Sequence, residues 1–105
     1  MPKHNRHQVL SLEGEIDLHV LPRVSSSLAA AIKRKPKLLV IDLSKVTYID
    51  SSGLAALIQG MQNVEAYGGR FALVGLQESV RPIFEIARLD QVFRIFPDAK
   101  TALAA

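Results

Sequence analysis

The run Leu38-Leu39-Val40-Ile41, closed by Asp42, constrains this chain more than any other segment. Four successive apolar residues leave no polar face, so they suit a strand covered on both sides, the environment of a central strand in a parallel sheet. Parallel neighbours need crossover connections instead of tight hairpins, and the flanking sequence supplies helical ones.

Upstream, Val9 to Leu12 alternates apolar and polar residues, which predicts a short half-buried strand that Gly14 ends. Leu21, Val24, Leu28 and Ile32 share one helix face, and Pro36 stops that helix. Downstream, a turn around Ser44-Lys45 and a short apolar stretch, Val46 to Ile49, lead to Asp50-Ser51-Ser52-Gly53, whose small polar residues suit a helix start. Leu54, Leu57, Ile58, Met61 and Val64 keep helical spacing until Gly68-Gly69. Arg70 to Val74 reads as a strand. Ser79 is placed to cap a third helix, with Pro82 in its first turn and Val80, Ile83, Phe84 and Ala87 on its buried face. Val92 to Phe96 is a last short strand, and Asp98 begins a weakly helical tail over 99–105. The fold class is α/β, a sheet with helices packed against it through right-handed crossovers. With 105 residues, 49% of them hydrophobic, the chain can bury one core, and no linker or repeat marks a second domain.

Composition removes several function classes. There is no cysteine, hence no disulfide scaffold, thiolate metal site or cysteine nucleophile, which fits a reducing, cytoplasmic setting. Residues 1–7 are basic, polar and loose, without signal-peptide character, and no apolar run approaches the roughly 20 residues a membrane helix needs. The net charge is +3, with four of thirteen cations in Lys33-Arg34-Lys35-Pro36-Lys37. Cations there face the negative end of the preceding helix dipole, so the cluster reads as a solvated helix end, and no aromatic residues interleave for base stacking. No specific nucleic-acid partner is expected.

Nor is an enzyme. Asp17 and Asp50 form a candidate acid–base pair, but turn aspartates are commonplace and no substrate-pocket signature accompanies them. Asp50-Ser51-Ser52-Gly53 lacks the glycine two residues before a hydrolase nucleophile, and Gly68-Gly69 lacks the lysine and hydroxyl residue of a phosphate loop. His19 reads as a loop residue, and the His4 to His7 spacing as part of a frayed terminus instead of a metal site. No cofactor is implied.

The segment Ile49-Asp50-Ser51-Ser52-Gly53-Leu54 carries the functional signal, because it joins a strand's carboxyl end to a helix start, the usual binding edge of an open α/β sheet. A hydroxyl there is open to partners. Phosphorylating Ser51 would add a charge of roughly −1.5 to −2 beside free N–H groups and the positive end of the helix dipole. Asp50 either opposes that charge or orients the hydroxyl or a metal-bound phosphate for a kinase. The plain alternative for Ser51 and Ser52 is helix capping, and Ser52 is left with it.

Asp50-Ser51-Ser52-Gly53-Leu54 with Ala55-Ala56-Leu57, Gly14-Glu15-Ile16-Asp17 upstream and Val40-Ile41-Asp42-Leu43 between them together resemble the STAS domain family and its bacterial anti-sigma factor antagonists, over about Val9 to Phe96. The resemblance implies a STAS-like fold, a four- to five-stranded mixed sheet with about four helices. It implies that Ser51 is phosphorylated by an anti-sigma factor that is itself a serine kinase, that the unmodified form binds this factor and frees the sigma factor, and that a metal-dependent phosphatase reverses the switch. It places a docking face on Asp17, His19, Leu21, Asp50, Ser51, Ser52, Gly53 and Leu54, with the exposed side of the following helix. Family members usually begin with a further strand before the one at Val9; its truncation here would leave an edge that a second copy could cover. The family also serves stress-signalling assemblies, anion transporters and phospholipid-transport ATPases, so a constitutive scaffold or regulatory subunit is the alternative.

Overall fold

The computed structural model describes residues 7–105. In it the apolar run opens β2 (Leu38–Ile49), which lies between β1 (His7–Ile16) and β3 (Arg70–Val74), and β4 (Arg94–Phe96) completes the order β1-β2-β3-β4. The crossovers are α1 (Leu21–Lys33), α2 (Ser51–Ala66) and α3 (Arg81–Ile86); a 3₁₀ turn at Leu89–Gln91 leads into β4, and α4 (Ala99–Ala104) follows it. All three strand pairings are parallel. Among the described residues the sheet is therefore parallel, not mixed: a helix separates each strand from the next, so none returns as a hairpin. Residues 1–6, where a shortened first strand of the family would lie, and His4 with them, fall outside the described residues, whereas His7, expected in the loose terminus, is the first residue of β1 and pairs with Leu38.

Sequential strands joined by crossovers of one hand put their helices on one face. That face holds the main core, where Leu39, Ile41, Leu43, Val46 and Ile49 of β2 meet Val24 and Leu28 of α1, Leu57 and Val64 of α2, and Phe84 of α3. The alternate β2 residues Leu38 and Val40 point the other way and pack with Ala72, Val74 and Ala102, the last from α4. The weakly helical tail thus closes the second face of the sheet. Asp98 caps it, its carboxylate accepting the Thr101 N–H at 2.8 Å and the Thr101 hydroxyl at 2.7 Å.

Several local expectations change. Gly14 does not end β1; with φ +80 it sits where the register slips against β2, between Ser11 and Glu13 and again between Gly14 and Glu15, and the strand runs on to Ile16. Ser44-Lys45 is no turn either, because β1 continues to pair with β2 there, Glu13 with Lys45 and Gly14 with Val46. Ser79 does not cap α3: its hydroxyl donates to the Thr47 carbonyl at 2.9 Å, and Val80 holds the N-cap position without a side-chain bond. On α3, Val80 and Phe84 are buried while Ile83 is half-buried and Ala87 exposed. The last strand begins at Arg94, since Phe93 turns inward against Phe71 and Phe84, with ring centroids 6.1 and 6.0 Å away.

Candidate partner-docking site around Ser51

The ends of β1 and β2 are in register, Ile16 opposite Ile49, and the Asp50 N–H donates to the Ile16 carbonyl at 3.0 Å. This pairing brings the loop after β1 beside the start of α2, so residues more than thirty positions apart form one surface. Asp17 shapes its own loop: one carboxylate oxygen accepts the His19 N–H at 3.0 Å and the Val20 N–H at 3.3 Å, and Pro22 follows in the first turn of α1. His19 and Leu18 are exposed and Leu21 is half-buried.

Asp50 is the N-cap of α2. Its Oδ1 accepts the Gly53 N–H at 3.0 Å and the Ser52 hydroxyl at 2.6 Å. The Ser52 hydroxyl, then the Gly53 N–H, hold the Asp50 carboxyl below its ordinary value of 3.8, so it is ionised at neutral pH. The same bonds decide what the sequence leaves open. Neither serine caps the helix: Ser52 braces Asp50, and Ser51, the first helical residue, is exposed. Oδ1 of Asp50 is committed to its neighbours, and a carboxylate already occupies the positive pole of the helix, so a phosphate on Ser51 would add to standing negative charge.

Gly53 lets α2 sit directly on the strand ends. A Cβ there would stand 2.7 Å from Ile49 Cγ1, 2.8 Å from Ile16 Cγ2 and 3.2 Å from the Ile16 carbonyl oxygen. Leu54, only 9% exposed, anchors the first turn in the core.

Five of the predicted docking residues border two different hollows. Leu21 and Ser52 line an apolar groove of ≈ 350 Å³ between α1 and α2. Asp50, Ser51 and Leu54 instead border a hollow of ≈ 480 Å³ whose other walls are Tyr48, Ile49, Ile83, Ile86 and Ala87. Tyr48 and the α3 residues are absent from the sequence-derived face. Ile86 is 84% exposed, an isoleucine aimed at solvent beside the serine, with Leu18 at 67% on the neighbouring loop. The sequence held one clue to Ile86: it is the apolar residue of a short helix that does not fall on the Val80 and Phe84 face. That this face of α3 stands beside Ser51 follows only from the packing of the third crossover. An ionised pole flanked by apolar side chains suits protein docking, since such patches on a small domain mark contact surfaces.

Residues 1–102 match the family described as STAS domain. Among curated proteins the chain is similar to the anti-sigma-F factor antagonist RsfB of Mycobacterium tuberculosis, 32% identical over 100 residues that span 95% of this chain and 81% of that one. It is also similar to the putative sulfate transporter YvdB of Bacillus subtilis, 30% identical over 73 residues, 70% of this chain but 14% of that protein. Among solved structures, an anti-sigma factor antagonist from Mycobacterium paratuberculosis superposes with a TM-score of 0.83 at 31% identity, covering 91% of this chain and 81% of that one.

Proposed function

From the premise that this chain belongs to the STAS domain family, we propose that it is an anti-sigma factor antagonist, a non-enzymatic cytoplasmic switch set by phosphorylation of Ser51. The unmodified form docks on an anti-sigma factor with serine kinase activity and frees the sigma factor. The kinase transfers the γ-phosphoryl group of a nucleoside triphosphate to the Ser51 oxygen, which gives up its proton as the nucleoside diphosphate leaves, and the complex separates; a metal-dependent phosphatase hydrolyses the phosphoester and restores the first state.

The observation that carries this reading is the setting of Ser51: exposed, first in α2, and sharing a hollow with the ionised Asp50 and with exposed Tyr48 and Ile86. The two mycobacterial relatives described above, which match 95% and 91% of this chain, are named as antagonists of anti-sigma factors. A phosphate beside a carboxylate at a desolvating interface costs about 3 kcal/mol, about a hundredfold in affinity, enough for a switch. No helix among the described residues is long and apolar enough to cross a membrane.

Affinity of the parent, Ser51→Ala and Ser51→Asp proteins for the anti-sigma factor captured from the source cell tests this. Ser51→Ala should bind like the parent and Ser51→Asp about a hundredfold more weakly, with equal melting temperatures and phosphate found on Ser51 by mass spectrometry. Equal binding by both variants would sink the switch. The similarity to a segment of a putative sulfate transporter favours a second reading, a constitutive regulatory subunit; capture of transporter subunits with Ser51 unmodified would establish it.

A further inference from the structure

The strands all start at the edge of the sheet remote from Ser51, and there the basic cluster takes a shape that its sequence does not show. Lys33 ends α1, where the helix dipole accounts for a cation. Lys37 and Arg70 have no such reason to be where they are. They lead into β2 and β3, which carry little net dipole, and they are neighbours, because the Arg70 N–H donates to the Lys37 carbonyl at 2.8 Å and Arg70 pairs with Leu38. The backbone bond thus holds two cationic residues of adjacent chain segments at the same end of the sheet.

The surroundings form a built concavity. Lys35, Lys37 and Arg70, all exposed, border a hollow of ≈ 550 Å³ with Tyr67, Gly68 and Gly69, and no carboxylate is among these lining residues. Its frame is stiff. Tyr67 donates its hydroxyl to the Pro36 carbonyl at 2.7 Å, and Lys35 holds a left-handed φ of 51. The Gly69 backbone passes so close that a Cβ would meet Tyr67 Cε1 at 2.8 Å and the Pro36 carbonyl oxygen at 3.0 Å. Long cationic side chains on fixed loops around an acid-free hollow of small-molecule size match the needs of a phosphate group.

We propose that Lys35, Lys37 and Arg70 form a binding site for a small phosphate-bearing anion, of the size of a diphosphate, at the end of the sheet opposite Ser51. This site is independent of the switch at Ser51. Its anion is either free in solution or the headgroup of an acidic lipid, which share the recognised chemistry.

The test is an amide-resolved NMR titration with inorganic pyrophosphate at constant ionic strength. Saturable shifts are expected at Gly68, Gly69 and Arg70 and none at Ser51 to Gly53. The Lys37→Gln/Arg70→Gln protein should keep its melting temperature and bind more than about tenfold more weakly; should it misfold, Lys35→Gln serves alone. Sedimentation with phosphatidylglycerol vesicles then separates the sources. Vesicle binding that pyrophosphate displaces points to a lipid headgroup, and no vesicle binding points to a free anion. Absence of saturation, shifts spread over every cation, or vesicle binding that pyrophosphate does not displace would overturn the site.

Discussion

Placing alanine at two glycines of the same helix should change stability in opposite directions. Gly53 and Gly60 are both buried in α2. At Gly60 a Cβ would meet Phe71 Cε2 at 3.5 Å, Leu28 Cδ2 at 3.6 Å and Phe71 Cζ at 3.7 Å, ordinary van der Waals contact. Gly60→Ala therefore gains helix propensity and a well-packed methyl, together about 1–1.5 kcal/mol. At Gly53 the nearest atoms would be Ile49 Cγ1 at 2.7 Å and Ile16 Cγ2 at 2.8 Å, on side chains only 2% and 3% exposed that have nowhere to swing. Overpacking costs about 1–3 kcal/mol, and the propensity gain is smaller in a first turn, so Gly53→Ala should lose about 1–2 kcal/mol. Urea denaturation of the two variants should place them about 2–3.5 kcal/mol apart on either side of the parent, about 10–20 °C in melting temperature for a domain of this size. The clash also pushes on Ile16, whose carbonyl accepts the Asp50 N–H at 3.0 Å, so Gly53→Ala should loosen the joint between the Asp17 loop and α2 and weaken partner binding. If Gly53→Ala were as stable as Gly60→Ala, the close approach of helix and strand ends would be wrong, and the placement of Ser51 with it.

The remaining predictions concern the surface that this joint creates. Asp50 has a folded-state pKa below its unfolded value, so its contribution to stability is present above pH 3.8 and lost as pH falls through the folded value. Asn at this position keeps a capping oxygen without titrating, so the stability difference between the parent and Asp50→Asn, from urea midpoints at a series of pH values, should shrink below pH 3.8; a pH-independent difference would refute the assignment. Ile86→Asp should leave the melting temperature unchanged, since the side chain is 84% exposed, yet weaken anti-sigma factor binding by more than about tenfold in a direct affinity measurement. Unaltered affinity would remove α3 from the docking face.

Part of this fold is legible in the sequence itself. The buried run at Leu38 to Ile41 and the helical spacing of Leu54, Leu57, Met61 and Val64 were readable because burial on a strand or helix face imposes a period on the sequence itself. The position of Ser51 at a helix start was readable too, as cap residues act within three or four positions. Misread were the features set by a distant partner: Ser44-Lys45 stays in β2 because β1 pairs with it, Ser79 is drawn to the Thr47 carbonyl, and Phe93 leaves the last strand for Phe71 and Phe84.

By itself, then, the sequence determined the order of strands and helices, the central strand and the address of the serine, all consequences of local periodicity and capping. Only the tertiary structure decided what surrounds that serine. The register of Ile16 with Ile49 brings up the Asp17 loop, the packing of α3 sets Tyr48 beside Ile83 and Ile86, and hydrogen bonds commit Asp50 to Ser52 and Gly53. At the far end, the same sheet sets Lys37 next to Arg70. These neighbours are far apart along the chain, and nothing short of the packed sheet could specify their contact.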